Sequence, residues 1–486
     1  MKKIGELLKA TEVLRTAGDT EAEINALVYD SRNVGAGDCF FAIVGAKSDG
    51  HEYISSAVGR GARAVVCQRM PEERAEGVCY VEVADTNGAL ADMAAAFYDH
   101  PSRELKLIGV TGTNGKTTTA TLLYDLFRAL GYEAGLISTV VYRIGSREVE
   151  STHTTPDAVR LNAMMREMVG SGCEYCFMEC SSHAIVQERI RGLHFAGGLF
   201  TNLTHDHLDY HKTFAEYLRA KKLFFDNLPE GTFAVVNIDD RNGRVMVQNT
   251  RATVKTLSLR SPADFRCKVI EMLPDGMLLR IDGSEVWVKF LGRFNAYNLL
   301  TIYAAAMMLG QRKEEVLTAM SALHSVSGRL EYIRAEDGTT AIVDYAHTPD
   351  ALENVLETIG EIRGAGQQLT VVCGCGGDRD RTKRPEMARI ALKYADTAIF
   401  TSDNPRTEDP EAILRDMVEG LPSDARYLKI ADRAEAVRTA VMLSRAGDII
   451  LLAGKGHETY QVIGTEKIHF DDREQVRINF ENRKKT

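Results

Sequence analysis

Long hydrophobic runs are missing from this 486-residue sequence. No stretch approaches the ~18–20 apolar residues of a membrane-crossing helix. The opening Met1-Lys2-Lys3-Ile4-Gly5-Glu6-Leu7-Leu8-Lys9 has neither an apolar h-region nor a small-residue cleavage site. Positive charge is not in excess either: 59 Lys and Arg against 68 Asp and Glu leave a formal charge of -9. That balance argues against broad binding to nucleic acid or to an anionic membrane, although local cations and helix N-termini can still hold a small phosphorylated ligand. A disulfide framework is also lacking. The nine cysteines follow no regular spacing. Cys173 and Cys176 form a C-x-x-C, and Cys373 and Cys375 a C-x-C, but both lie in apolar strand-like runs with no second half of a zinc site, so they read as buried small hydrophobes. Low-complexity tracts and short-period repeats are absent. The expected compartment is the cytoplasm.

What is present is an ordinary globular composition, 44% hydrophobic and 26% charged. The length allows about three domains at ~100–200 residues each. Residues 1–103 read as a small α/β unit with strand-like Cys39–Val44 and Ala64–Cys67, ending at a linker, His100-Pro101-Ser102-Arg103. From residue 104 the pattern becomes strand–loop–helix, as in a parallel α/β domain. Leu107–Val110 is a buried strand, Thr117–Leu130 a helix stopped by Gly131, and Phe177-Met178, Gly198–Phe200 and Phe233–Val236 are further strands. Short alternating segments between about 252 and 290 read as an antiparallel β insert, and Asn298–Leu309 as a helix. Residues 331–486 show strands at Ala341–Val343, Leu369–Val372, Thr397–Phe400 and Ile449–Leu452 with helices between them, a Rossmann-like pattern. The expected fold is α/β in three domains: 1–103, 104–330 and 331–486.

Gly112-Thr113-Asn114-Gly115-Lys116-Thr117-Thr118 follows a strand and opens a helix. In that setting loop N–H groups and the helix end cradle phosphates, Lys116 reaches the terminal ones, and a threonine hydroxyl can hold Mg²⁺. Val110 stands where the usual phosphate loop has a further glycine, so the loop is a G-x-x-G-K-T-T variant. Glu179 ends a strand, where an acid commonly reaches Mg²⁺. Thr201-Asn202-Leu203-Thr204-His205-Asp206-His207-Leu208-Asp209-Tyr210-His211 follows another strand. One of its histidines reads as a Mg²⁺ ligand and the others as hydrogen-bonding scaffold. On chemistry alone, Lys221 and Lys222 read as a solvated helix face.

These motifs, with Gly292, Asn295, Asn298, Ser327-Gly328-Arg329-Leu330-Glu331, Asp344-Tyr345-Ala346-His347-Thr348-Pro349-Asp350 and Asp403-Asn404-Pro405-Arg406, resemble the Mur ligase family in order along essentially the whole chain. Within it the sequence is most similar to members that add meso-diaminopimelate to UDP-N-acetylmuramoyl-L-alanyl-D-glutamate. The resemblance implies three domains, for UDP binding, ATP hydrolysis and amino-acid binding, in a monomer. It implies that Ser31, Ala46, Lys47 and Ser48 contact the uridine diphosphate, and that Thr154, Thr155, Ser181, Gln187 and Arg189 hold the muramoyl peptide. Gly112 to Thr118, Asn295, Asn298, Arg329 and Asp344 serve ATP. Thr117, Glu179, His207 and an N-carboxylated Lys221 serve magnesium, and Lys116, Glu179, His207 and Lys221 serve catalysis. Arg379, Asp403, Asn404, Pro405, Arg406, Gly454 and Glu458 match the diaminopimelate pocket, where arginine suits a carboxylate and Glu458 with the Gly454 carbonyl suits an ammonium. The implied reaction runs through an acyl phosphate. L-Lysine as the added amino acid, or a UDP-sugar sensor that hydrolyses ATP weakly, are the alternatives.

Overall fold

Lys106–Thr111 is buried from its second residue onward, as expected for a strand covered on both faces. Its side chains alternate. Ile108 and Val110 join one core with the helices Lys116–Ala129 and Arg293–Met308. Leu107 joins a second core with the helices Ala158–Gly170 and Phe214–Asp226. The structure, a computed structural model, describes residues 1–484 except Ala46, Lys47, His205, His207 and Pro274, and except the side chains of Leu208 and Asp209.

This strand is central to an 11-stranded sheet. Tyr175–Glu179 and Gly197–Phe200 pair with it in parallel on either side. Phe233–Asn237 and then Thr253–Ser258 continue the parallel run. The antiparallel insert expected over 252–290 is corrected in two respects. Thr253–Ser258 is parallel, and Phe265–Leu273, Gly276–Ile281 and Ser284–Val288 extend the same sheet as an antiparallel meander. Alternating polarity signals a half-solvated strand but carries no strand direction. The helix read as Asn298–Leu309 begins earlier, at Arg293.

Before the central sheet, Arg15–Ala17, Cys79–Glu82, Ala64–Cys67, Cys39–Phe41 and Leu27–Val28 form a five-stranded sheet, parallel except for its first strand. After it, Glu331–Arg334, Thr340–Asp344, Ile449–Ala453, Leu369–Cys373, Thr397–Phe400 and Tyr427–Lys429 lie in that order in a six-stranded sheet. It is parallel except at the Glu331–Arg334 edge. Helices cover both faces, Pro349–Ile362, Lys383–Tyr394 and Pro410–Val418 on one, Arg433–Leu443 and Asp472–Arg483 on the other. All nine cysteines are buried free thiols.

Two strand glycines set the distance between the Phe214–Asp226 helix and the central sheet. A Cβ at Gly109 would lie 2.5 Å from the Phe224 ring, and one at Gly198 2.8 Å from it. Phe224 fills that notch. One turn earlier, Lys221 reaches over the strand end to the phosphate-loop sequence.

Candidate functional site

Gly112 leaves the end of its strand, and Gly115, at φ 84°, caps the Lys116–Ala129 helix. A Cβ at Gly115 would sit 2.5 Å from Asn298 Oδ1, so only glycine lets the loop close on the Arg293–Met308 helix. The loop is held from outside. The Asn114 amide donates to Asn202 Oδ1 at 2.9 Å, and the Thr201 hydroxyl donates to the Asn114 carbonyl at 2.6 Å. Asn298 donates to Asn295 Oδ1 at 3.1 Å, so both asparagines belong to a buried chain behind the loop.

Two lysines converge here. Lys116 Nζ donates to the Gly112 and Thr113 carbonyls at 3.0 and 2.8 Å. Lys221 Nζ donates to the same Gly112 carbonyl at 2.7 Å and lies 4.7 Å over the Tyr217 ring. Lys221 is 1% exposed, which overturns the solvated helix face read from chemistry alone. Its neighbour Lys222 pairs instead with Asp226 at 2.5 Å. Burial, then the ammonium of Lys116, pushes the Lys221 amine well below its ordinary range, against the opposing pull of Asp206 and Cys180. Burial also lowers Lys116, while Glu179 and Asp206 partly restore it.

Glu179 is fully buried. Its carboxylate accepts from the Thr139 amide at 2.7 Å and the Thr139 hydroxyl at 3.2 Å. Thr139 Oγ1 also lies 3.0 Å from Thr154 Oγ1, whose hydroxyl can donate to it. Thr155 donates to the Glu179 carbonyl at 2.7 Å and accepts from the Ser181 amide at 3.1 Å. Arg189 donates to the Thr155 carbonyl and to Gln187 Oε1 at 2.8 and 2.6 Å. His211 shares a 2.9 Å bond with Ser182, in keeping with a scaffold role. Among the described residues no three His, Cys, Asp or Glu side chains gather as a metal cluster. His207 lies outside them.

The segment leading into the C-terminal unit, and that unit itself, close the cleft. Arg329 donates to Thr117 Oγ1 at 3.3 Å and lies 4.6 Å over the Tyr345 ring. Asp344 accepts from the Leu330 amide at 2.7 Å, and burial raises its carboxyl despite Arg329. Asn114 Nδ2 reaches Asp350 at 2.8 Å. The resulting cleft, of about 400 Å³, is lined by Lys116, Thr155, Glu179, Lys221, Arg329 and Arg379 among others. A second cavity, about 220 Å³, lies between the first unit and the central one and shares His153 and Arg189 with the cleft. Ser31 is half-buried at the start of the Ser31–Asn33 turn and Ser48 is exposed, and neither lines that cavity; Ala46 and Lys47 lie outside the described residues.

Asp403, Asn404, Gly454 and Glu458 gather at the carboxyl ends of the C-terminal strands. Asn404 Nδ2 donates to Glu458 Oε2 at 2.9 Å. Gly454, at φ 115°, would place a Cβ 3.5 Å from Asp403 Oδ2. Arg406 follows Pro405 and donates to the Gly377 carbonyl at 2.8 Å, beside the exposed Arg379. Among the described residues eight non-glycine residues have positive φ, and four of them are Glu188, Leu330, Asp378 and Arg406. Each is, or adjoins, a residue singled out from the sequence, as strain gathered at a working site would be.

Family models match in the same order: "Mur ligase family, catalytic domain" over 23–98, "Mur ligase middle domain" over 110–306, and "Mur ligase, glutamate ligase domain" over 328–456. The chain is 53% identical to the UDP-N-acetylmuramoyl-L-alanyl-D-glutamate–2,6-diaminopimelate ligase of Cytophaga hutchinsonii, over 97% of both chains. The chain belongs to the Mur ligase family. This Mur ligase is equally similar, at 53%, to the protein of that name from Bacteroides thetaiotaomicron, over 98% of this chain and 99% of the relative. A solved structure of a diaminopimelate ligase covers all of both chains with a TM-score of 0.69 and 32% identity. A folylpolyglutamate synthase from Mycobacterium tuberculosis shares the fold over 74% of this chain at 18% identity, with a TM-score of 0.58.

The sequence reading of this Mur ligase missed Thr139, which orients Glu179, and Asp350, which ties the loop to the C-terminal unit. It also missed Lys455, fully buried among Asp403, Asn404 and Glu458. Asp350 stood inside a quoted motif. Lys455, between Gly454 and Gly456, gave no local signal.

Proposed function

We propose that this chain joins meso-2,6-diaminopimelate to the D-glutamate γ-carboxylate of UDP-N-acetylmuramoyl-L-alanyl-D-glutamate, converting ATP to ADP and phosphate, in the cytoplasmic synthesis of peptidoglycan precursor. One observation carries the reading. A phosphate loop, a set of peptide-facing side chains and an arginine from the amino-acid side line a single cleft. The names of relatives 53% identical over nearly the full chain support the choice of substrates. Residues 1–103 hold the uridine diphosphate, 104–330 activate the carboxylate, and 331–486 present the amino acid.

A carboxylate does not yield its oxide to an amine, so it is first activated. A D-glutamate carboxylate oxygen attacks the γ-phosphorus, its bond to the β-bridging oxygen breaks, and ADP leaves. The loop N–H groups, Lys116 and Arg329 face the charge that develops. A free amine of diaminopimelate then attacks the acyl carbon, phosphate departs, and a proton is lost from nitrogen. Thr154, Thr155, Ser181 and Arg189 position the peptide, while Arg379 and Arg406 face the distal carboxylate of the amino acid. Lys221, whose amine burial pushes well below its ordinary range, can in its neutral form add its lone pair to carbon dioxide and lose a proton, becoming a carbamate anion.

The donors fit Mg²⁺, since Glu179 carboxylate, Thr117 hydroxyl and a Lys221 carbamate are the oxygens this hard cation takes, with His207 as the fourth member of the set. Bound there, Mg²⁺ would neutralise phosphate charge.

Phosphate release from ATP with the UDP-muramoyl dipeptide tests the reading, comparing meso-diaminopimelate with L-lysine. Turnover is expected with diaminopimelate. Arg379→Ala should raise its KM about 10- to 100-fold, the scale of a lost charge-assisted hydrogen bond. Turnover with lysine alone would overturn the amino-acid assignment, and indifference to either would overturn the ligase.

A further inference from the structure

Lys455 is fully buried, and the proposed reaction gives it no role. Its ammonium donates to Glu458 Oε2 at 3.0 Å and to Asn404 Oδ1 at 3.2 Å, and stands 3.6 Å from Asp403 Oδ1. Asn404 cannot rotate its amide, because its Oδ1 also accepts from the Val462 amide at 2.9 Å while its Nδ2 holds Glu458. Both bonds to Glu458 fall on Oε2, leaving Oε1 for a ligand. Asp403, only 7% exposed, has a buried Oδ1 with no hydrogen bond among the described residues. An unsatisfied buried carboxylate oxygen is costly and calls for a cationic donor.

Two carboxylates and one ammonium leave one negative charge. Resting on the reading above, we propose that Lys455 is a positioning residue that keeps Glu458 ionised beside Asp403 and aimed, so that the pocket receives an ammonium of the incoming amino acid. Without Lys455, two buried carboxylates would face each other and one would take up a proton. Burial and Asp403 already push the Glu458 carboxyl up, and Lys455 and Asn404 are what oppose them. The other ionisable groups facing this cluster include Tyr345 and Tyr460, which stay neutral because burial and Glu458 raise them, and Arg433, whose charge is matched by Asp472. Burial pushes the Cys375 thiol up to about 11, and burial with Arg329, Arg473 and Lys455 holds the His457 imidazole down to about 3, so neither changes charge between pH 7 and 8.5.

The test is the pH dependence of KM, taken separately for each substrate of the full-length enzyme. In the unaltered enzyme the KM for diaminopimelate should be flat from pH 7 to 8.5. In Lys455→Met it should rise about tenfold at pH 7, the factor of one pKa unit. It should fall back as the pH is raised and Glu458 ionises, while the KM values for ATP and the UDP-muramoyl dipeptide hold. Lys455→Arg, which keeps the charge, should keep the flat profile. A Lys455→Met enzyme with an unchanged KM for diaminopimelate, or with all three KM values raised together, would overturn the proposal. So would an unaltered enzyme whose KM already falls with rising pH, a result that needs no variant to fold. Absence of any diaminopimelate-dependent turnover in the unaltered enzyme would remove the reaction itself, and the role of Lys455 with it.

Discussion

At the scale of single residues, Lys221 shows how burial turns a common side chain into a reagent. An ammonium cannot add to carbon dioxide, whereas the neutral amine can. Burial and the nearby Lys116 lower its pKa, so the neutral form extends to lower pH than for an exposed lysine. Turnover should therefore fall in buffer stripped of carbon dioxide and return on adding bicarbonate, with the fall steeper at lower pH as the amine regains its proton. Turnover indifferent to carbon dioxide across that range would argue against a carbamate. This lysine also marks a boundary of what the sequence could say. Lys116 was legible because strand, glycine, lysine and helix succeed one another locally. Lys221 looked like a surface residue, since its burial comes from a sheet more than a hundred residues away in sequence, the bond to Gly112 spanning 109 positions. The same holds for Lys455, whose meaning lies largely in Asp403 and Asn404, brought from a distant part of the chain.

At the scale of elements, the Phe224 notch is what lets one helix deliver that lysine. Gly109→Ala would set a methyl group against the Phe224 ring, Cys180 Sγ and Phe195 at 2.5 to 2.9 Å. Overpacking of this kind costs about 1–3 kcal/mol. Denaturant unfolding should register that loss, and kcat should drop more than KM for ATP, because the helix carrying Lys221 is lifted while the phosphate loop stays tied to Asn202. An unchanged kcat with the full stability loss would show that the helix has room to spare. Buried strands and their helices were readable from apolar runs and turn residues. Strand direction over 252–290 was not, because period-two alternation is the same in a parallel pair as in an antiparallel one.

At the scale of the whole molecule, the seam between the central and C-terminal units carries its own titration. His457 lies where Gly328 makes its close approach, and a Cβ at Gly328 would fall 2.0 Å from the His457 amide nitrogen. Burial, then Arg329, Arg473, Lys455 and His347, hold its imidazole down to about 3 from 6.5. The folded state resists a proton that the unfolded chain accepts, so this contribution is whole above pH 6.5 and is lost as the pH falls toward 3. By pH 5 the loss should amount to about 2 kcal/mol, and thermal unfolding at pH 7 and pH 5 should show a smaller gap in His457→Gln. An equal gap in both proteins would place the acid sensitivity elsewhere. The nine thiols add something different. Cys39, Cys67 and Cys79 belong to the first unit, Cys173, Cys176, Cys180 and Cys267 to the central one, and Cys373 and Cys375 to the last, all shut away from solvent. A water-soluble alkylating reagent can therefore reach none of them until its own unit opens, and the order in which they become tagged would be a clock of which part of the enzyme breathes first.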